Sequence, residues 1–118
     1  MMATRNRAAR VRLTGIFLCL VLAANTTGAA AAGDRVAGRK KAIQCQACHG
    51  LDGLSKIPEG PNLAGQDENY LIKALNDYKT GARKNDMMSL VVPNLTDQDI
   101  ADLAAYYAGI EVTVTPPK

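Results

Sequence analysis

Five consecutive residues, Cys45-Gln46-Ala47-Cys48-His49, decide what chemistry this chain supports. Two thiols three positions apart near a helix end are spaced to add to both vinyl groups of one haem, and the adjacent histidine then lies under the iron as an axial ligand. One pentapeptide therefore supplies both attachment and coordination. The run predicts one covalently bound c-type haem, and with it a fold that surrounds a large apolar cofactor.

The same residues also occur in zinc sites, redox-active dithiols and structural disulfides. A structural zinc ion needs four ligands, but Cys45, Cys48 and His49 are the only thiols and the only histidine after residue 32. A redox dithiol belongs near a βαβ pattern, whereas this motif precedes a loop rich in glycine and proline. A plain disulfide leaves the adjacent histidine unexplained. Haem attachment is the interpretation that accounts for all three side chains.

The N-terminus has the layout of a secretory signal peptide. Four arginines and no acid precede the apolar run of residues 13–24, and small residues follow up to Ala32. A membrane-spanning helix needs roughly 20 apolar residues, which is longer than this run. We therefore expect residues 1–32 to be a signal peptide cleaved after Ala32, and residues 33–118 to form one small domain in the periplasm. An uncleaved membrane anchor is the less favoured interpretation.

Export would change the charge of the chain. The precursor carries +3, but four of its fourteen cations leave with the signal while all eleven acids stay, so residues 33–118 carry −1. Haem propionates would make the domain more acidic still. A basic surface for nucleic acid is therefore excluded. Cys19 lies in the middle of the apolar run and is explained as a signal residue.

Apolar periodicity predicts three helices and no sheet. The first helix is expected from about Asp34 to Gln46, with Asp34 as its N-cap. The residues available for its apolar side are Val36, Ala37, Ala42 and Ile43.

The second and third helices have clearer boundaries. The second is predicted over about residues 67–80, with Asp67 as cap and Gly81 placed to end it. The third begins at a capping box, Thr96-Asp97-Gln98-Asp99, and stops at Gly109. The apolar positions of the second helix are Tyr70, Leu71, Ala74, Leu75 and Tyr78. Residues 50–66 and 82–95 are predicted to be irregular loops.

A second axial ligand must come from a methionine or a lysine, because His49 is the sole histidine. Met87 and Met88 are the only methionines after residue 32. A thioether suits iron, and a Met/His pair raises the reduction potential, which favours electron transfer over oxygen chemistry. Methionine also fills gaps in cores. We expect one of the two to be a ligand and the other to pack.

These residues together resemble the class I c-type cytochromes, in particular the small bacterial monohaem proteins and single domains of the two-haem periplasmic cytochromes. The resemblance spans nearly all of residues 33–118. The segments that carry it are Gly38, Cys45-Gln46-Ala47-Cys48-His49-Gly50, Asp52-Gly53, Pro61-Asn62-Leu63-Ala64-Gly65-Gln66, Tyr70-Leu71, Lys79-Thr80-Gly81 and the stretch from Leu95 to Tyr107.

The resemblance implies an all-α cytochrome c fold, with three main helices and loops wrapped around one covalent haem c. It implies that the first and last helices cross where Gly38 meets Tyr106. It also implies that the Pro61 carbonyl accepts a hydrogen bond from His49. Counting back seven residues from Leu95, as in that family, gives Met88 as the axial ligand, with Met87 in reserve.

The function expected from these features is electron transfer, with the iron cycling between its ferric and ferrous states. No enzymatic activity and no small-molecule substrate are expected. The partners would be redox proteins that donate and accept the electron, membrane-bound respiratory complexes among them. Two alternatives remain open: a cytochrome subunit of a larger dehydrogenase or oxidase, and a haem-based gas sensor in which Met88 is labile.

Overall fold

A computed structural model of the chain describes residues 32–118, and within that range it contains helices and no strands. The helices are α1 (Arg35–Lys41), α2 (Gln46–His49), α3 (Glu68–Thr80), α4 (Met88–Val91) and α5 (Asp97–Ala108). The all-α prediction is confirmed. The predicted signal segment, residues 1–32, lies outside the described part except for Ala32. No helix of the described part is long and apolar enough to cross a membrane.

The first predicted helix is divided into two. Asp34 caps α1 as expected, since its side chain accepts hydrogen bonds from the backbone N–H groups of Val36 and Ala37. A 3₁₀ turn, Ala42–Gln44, then separates α1 from α2, where a single helix ending near Gln46 was predicted. Because a 3₁₀ turn has three residues per turn rather than 3.6, it changes which side of the chain the following residues face.

The predicted apolar side of the first helix is wrong at two positions. Val36 is 66% exposed and Ile43 is 55% exposed, while Gly38 and Ala42 are buried. The reason is the close approach of α5: a Cβ added at Gly38 would overlap the carbonyl oxygen of Asp102 and lie 2.8 Å from the Cβ of Tyr106. A crossing this close accepts only small residues on the contacting side. The predicted meeting of Gly38 and Tyr106 is confirmed.

The bounds of α3 agree with the prediction to within one residue. The carboxylate of Asp67 accepts a hydrogen bond of 2.8 Å from the N–H of Tyr70 and caps the first turn. Gly81 ends the helix in the left-handed conformation, with φ of 80°. That conformation disfavours residues with a Cβ.

Helix α5 begins with the predicted capping box and ends at Gly109. The Thr96 hydroxyl accepts from the N–H of Asp99, and the Asp99 carboxylate accepts from the N–H of Thr96. Residues 100–105 and Tyr107 are all buried. A helix covered on almost every side lies inside a domain, and α5 is the element against which α1 and α3 pack.

The segment predicted as a loop over residues 82–95 contains α4 and a second 3₁₀ turn, Val92–Asn94. The side-chain oxygen of Asn85 accepts hydrogen bonds from the N–H groups of Met87 and Met88 just before α4. Val92 and Leu95 are buried in the core beside α3 and α5. Burial of these two side chains stabilises a segment whose local pattern is too short to show helical periodicity.

Candidate functional site

The Cys45 to His49 motif forms the single turn of α2 and the residue before it. The N–H of His49 donates to the carbonyl of Cys45 over 2.9 Å, and the N–H of Gly50 donates to Gln46 over 3.0 Å. Gly50 then leaves the helix with φ of 68° and ψ of 152°. The backbone therefore holds Cys45 and His49 one helical turn apart, on the same side of α2.

An open cleft lies against that side of α2. Binding sites for cofactors are concave and are lined mainly by apolar groups together with a few polar ones. All five apolar positions predicted for the second helix line it. The lining residues are Cys45, His49, Pro61, Asn62, Leu63, Gln66, Tyr70, Leu71, Ala74, Leu75, Tyr78, Arg83, Met88, Leu103, Ala104 and Tyr107.

The imidazole of His49 is buried, and its Nδ1 lies 3.0 Å from the carbonyl oxygen of Pro61. A carbonyl oxygen only accepts, so Nδ1 carries the proton in this bond. The other nitrogen, Nε2, then keeps its lone pair, which is the form of histidine that binds a metal. The structure thus contains the contact between His49 and Pro61 that the sequence analysis expected.

Both thiols of the motif are free. Burial, together with the neighbouring Cys48 thiol, raises the pKa of Cys45 to about 11. Redox-active dithiols instead have a cysteine whose pKa is lowered, because the thiolate is the reactive form. The surroundings of Cys45 therefore do not favour dithiol chemistry. Within residues 32–118 no three His, Cys, Asp or Glu side chains come together as metal ligands, so a zinc site is not favoured either.

The structure separates the two methionines. Met88 lines the cleft that His49 also lines, and it packs against the core. Met87 is 59% exposed and does not line the cleft. One methionine therefore lines the cleft, whereas its neighbour is exposed outside it.

Two tyrosines of α5 hold the backbone that follows the motif, and the sequence analysis did not assign them this role. The hydroxyl of Tyr107 donates to the carbonyl of Gly50 over 3.2 Å, and that of Tyr106 donates to Leu51 over 2.6 Å. Burial raises the pKa of Tyr107, so its hydroxyl stays protonated as a donor. The available signal was the pair of adjacent tyrosines in the last turn of a buried helix.

Arg83 is a cation beside the cleft that the sequence analysis also missed. Its guanidinium carbon lies 4.8 Å from the centre of the Tyr78 ring, within the range of a cation–π contact. The neighbouring side chain of Tyr70, and to a lesser extent that of Tyr78, raises the pKa of Arg83. Arg83 thus places a positive charge among the mostly apolar groups of the cleft.

A helical domain that brings the first cysteine and the histidine of a C-x-x-C-H motif to one apolar cleft with a methionine has the features of a c-type cytochrome domain. The family model described as Cytochrome c matches residues 30–109. The chain belongs to the cytochrome c family.

Individual relatives give the same result. Cytochrome c4 of Pseudomonas aeruginosa is 48% identical over 100 residues, which cover 84% of this chain and 50% of that protein. Cytochrome c-554(548) of Halomonas halodenitrificans is 46% identical over 83 residues, which cover 68% of this chain and 100% of that protein. A crystal structure of reduced recombinant cytochrome c4 from Pseudomonas stutzeri matches with a TM-score of 0.65 and 43% identity, covering 70% of this chain and 48% of that one. The chain spans about half the length of the cytochrome c4 relatives.

The family's cofactor is covalently bound haem c, and the cleft fits it. A haem is a large apolar ring with two carboxylates, and the cleft supplies an apolar lining together with the cation of Arg83. The cleft also presents a histidine whose Nε2 is free to bind and a thioether, a donor pair that suits haem iron. The two cysteines have the spacing that attachment of this group needs.

Proposed function

We propose that this chain is a periplasmic electron-transfer domain in which Cys45 and Cys48 attach haem c and His49 and Met88 are its axial ligands. The observation that carries the proposal is that His49 and Met88 line the same cleft in a chain of the cytochrome c family. When bound, the haem supplies an iron that takes up and releases one electron.

The task of the histidine side is to hold the imidazole in one orientation. Pro61 accepts the Nδ1 proton, which fixes both the tautomer and the rotation of the His49 ring. Tyr107 and Tyr106 hold the next two carbonyls, so the residues that follow His49 are also held in place. A ligand that does not move between oxidation states suits outer-sphere electron transfer.

The task of Met88 is to fill the remaining axial position. A thioether ligand stabilises the reduced state relative to a second histidine and raises the reduction potential. With His49 and Met88 both bound to the iron, small molecules such as oxygen would find no open coordination position. Gas binding would require Met88 to leave, which is what separates the sensor alternative from electron transfer.

The apolar lining keeps water away from the redox centre. Leu71 and Leu103 are buried and Leu75 is half buried where they line the cleft. A dry surrounding disfavours the more highly charged oxidised state and so also raises the potential. Solvent rearranges less when the electron arrives or leaves.

Export and partners complete the proposal. The signal-like layout of residues 1–32 supports export to the periplasm, where an acidic domain would meet redox proteins as donor and acceptor. Contacts between complementary charged surfaces are weak and sensitive to salt, which suits a carrier that binds and leaves. No transformed substrate is required.

The experiment that tests the proposal combines a denaturing gel stained for covalent haem with ferric and ferrous absorption spectra. We expect haem that stays on the chain, a low-spin spectrum and a ferric sulfur-to-iron band. Met88→Ala should abolish that band, and Met87→Ala is the matched control that should retain it. A colourless protein from a host competent in haem attachment would overturn the proposal. Loss of the band in Met87→Ala alone would show that Met87, and not Met88, is the ligand.

A second candidate is the cytochrome subunit of a larger dehydrogenase or oxidase. The observation in its favour is the apolar surface of α4, where Leu90 is 72% exposed beside the exposed Met87. Apolar groups that lie together on a surface are typical of protein contacts. Purification at native expression level distinguishes the two: a free carrier elutes alone, and a subunit elutes with its enzyme.

A further inference from the structure

Asp102 is a buried carboxylate in the middle of α5. Asp102 is only 8% exposed. One carboxylate oxygen accepts hydrogen bonds of 2.8 Å from the N–H of Asp34 and 2.8 Å from the side-chain amide of Gln98. Among residues 32–118 the ion pairs of lysine or arginine involve Asp52, Asp77, Asp97 and Asp99 and not Asp102. A buried carboxylate without a cation is costly unless a charge lies close to it.

The backbone of Gly33 lies directly against α5 beside that carboxylate. A Cβ added at Gly33 would overlap the carbonyl oxygen of Ala101 and lie 2.7 Å from the Cβ of Ala105. The nitrogen of Gly33 is three covalent bonds from the nitrogen of Asp34, which is itself 2.8 Å from the Asp102 oxygen. A small change in the backbone at Gly33 would therefore bring its nitrogen close to the Asp102 carboxylate.

In the precursor the Gly33 nitrogen belongs to a peptide bond and carries no charge. Cleavage after Ala32 by a signal peptidase consumes one water molecule: the C–N bond between Ala32 and Gly33 breaks, Ala32 gains the hydroxyl as a carboxylate terminus, and Gly33 gains the hydrogen as an amine. An α-amino group has a pKa near ~7.7–8.0 and so is largely protonated at neutral pH. Cleavage at this bond therefore creates a cation next to Asp102.

We propose that removal of the signal peptide completes a buried ion pair between the α-ammonium of Gly33 and the carboxylate of Asp102, and that this pair fastens α1 to α5 only in the processed chain. The inference rests on the export that was proposed above. Its consequence reaches the redox site, because α5 also carries Tyr106 and Tyr107, which hold the backbone after His49. Processing thus strengthens the crossing that supports the haem motif.

Asp34 is the other carboxylate within reach of the new terminus. Its oxygen already accepts two backbone N–H groups at the start of α1, over 2.7 Å and 3.1 Å. That oxygen is committed to the helix cap, and Asp34 is exposed. A pair with exposed Asp34 would contribute little to stability, whereas the buried Asp102 gains the charge that its surroundings lack.

The test compares two haem-loaded proteins, one starting at Gly33 and one with two extra residues, Ala-Ser, before Gly33, each verified by intact mass. The extension moves the charge away without changing any other residue. We expect the extended form to unfold about 4–8 °C lower. In an Asp102→Asn background, which keeps the oxygen that accepts from Asp34, the two forms should unfold at the same temperature. Asp99→Asn is the matched control on α5, because Asp99 already pairs with Lys41 over 2.8 Å, and there the difference should persist.

Three outcomes would overturn the inference. Equal unfolding temperatures in the wild-type background would show that the terminus has no partner. A difference in unfolding temperature that survives Asp102→Asn but disappears in Asp34→Asn would show that the terminus pairs with Asp34 and not with Asp102. An intact mass showing that the natural signal is removed at another bond, or kept, would remove the cation itself. None of these results affects the haem spectrum, so failure here is distinguishable from failure of the proposed electron-transfer function.

Discussion

The two sides of the cleft are built differently. The histidine side, residues 45–61, is tied to the interior by hydrogen bonds from Tyr106 and Tyr107 and by the bond between His49 and Pro61. The methionine side, residues 82–95, presents Met88 at the start of a four-residue helix, and the exposed Asn85 accepts a hydrogen bond from its N–H. Of its residues only Val92 and Leu95 are buried.

This difference predicts which side yields first. Segments with few buried contacts and exposed hydrogen bonds open at lower free energy than core helices. The methionine side is therefore expected to open locally while the histidine side stays closed, so Met88, the proposed second ligand, should leave the iron before His49 does. Ligand exchange, if it occurs, belongs to the methionine side.

The largest expected effect comes from breaking the helix crossing behind the histidine side. Gly38→Ala places a Cβ on the carbonyl oxygen of Asp102, and we expect it to lower the free energy of unfolding by about 3 kcal/mol or more. The matched control is Gly81→Ala next to the methionine side, where an added Cβ meets nothing within 4 Å but φ is +80°. Its cost should be about 1–2 kcal/mol. Urea unfolding of the haem-loaded proteins measures both, and equal costs would contradict the ranking.

The next effect tests the hydrogen bonds of the histidine side. Tyr107→Phe removes the donor to the buried Gly50 carbonyl and should cost about 1–3 kcal/mol, because a buried acceptor loses its partner. Tyr70→Phe is the control, since this tyrosine lines the same cleft but is half exposed. Thermal unfolding should separate the two variants. A larger loss of stability in Tyr70→Phe than in Tyr107→Phe would contradict the prediction that the bond from Tyr107 to Gly50 supports the cleft.

A smaller effect on global stability, but a sharper local one, is expected from Asn85→Ala. The variant leaves the N–H groups of Met87 and Met88 without their acceptor, which should cost about 0.5–2 kcal/mol. The ferric sulfur-to-iron band should disappear well below the temperature at which the helices unfold. If band and helicity are lost together, as in the parent protein, the methionine side does not open independently.

The smallest effect depends on pH. The Lys41 ammonium, with the Thr96 backbone N–H, lowers the pKa of Asp99 to about 2. The unfolded value is ~3.9, so ionised Asp99 stabilises the fold above about pH 4, and this contribution is lost as the pH falls from about 4 to about 2. Asp99→Asn should lower the unfolding temperature slightly at pH 7 and not at pH 2. A constant difference across that window would exclude the charge as the cause.

Local patterns were sufficient for the long helices. In α3 and α5 the cap, the helical period and the terminal glycine all indicate the same boundaries, and the structure has them. The sequence did not predict helix α4, because four residues cannot show a helical period. Its stability comes from Val92 and Leu95, which are buried in the core with residues of α3 and α5. The sequence also did not predict the exposure of Val36 and Ile43, because the close crossing at Gly38 decides which side of α1 is buried.

The site was predictable where its residues are adjacent in sequence or belong to a familiar pattern. The motif of α2 is local, and the contact of His49 with Pro61 was expected from the resemblance alone. The bonds from Tyr106 and Tyr107 join residues 55 and 57 positions apart, and no spacing indicates which carbonyl a distant hydroxyl meets. The contact of Arg83 with Tyr78 joins residues only five positions apart. No periodicity or motif indicates it, because the helix ends at Gly81 between the two residues.

The distance in sequence between α1 and α5 has a consequence for the order of folding. Helix α1 packs on α5, and the bond from Asp34 to Asp102 joins residues 68 positions apart, so α1 lacks this partner until α5 has been made. Closing so long a loop is slow compared with forming a local helix. During that interval the segment that contains Cys45 and Cys48 belongs to an open chain, where both thiols are accessible to the machinery that attaches a haem. The topology thus allows haem to be attached before α1 and α5 pack together.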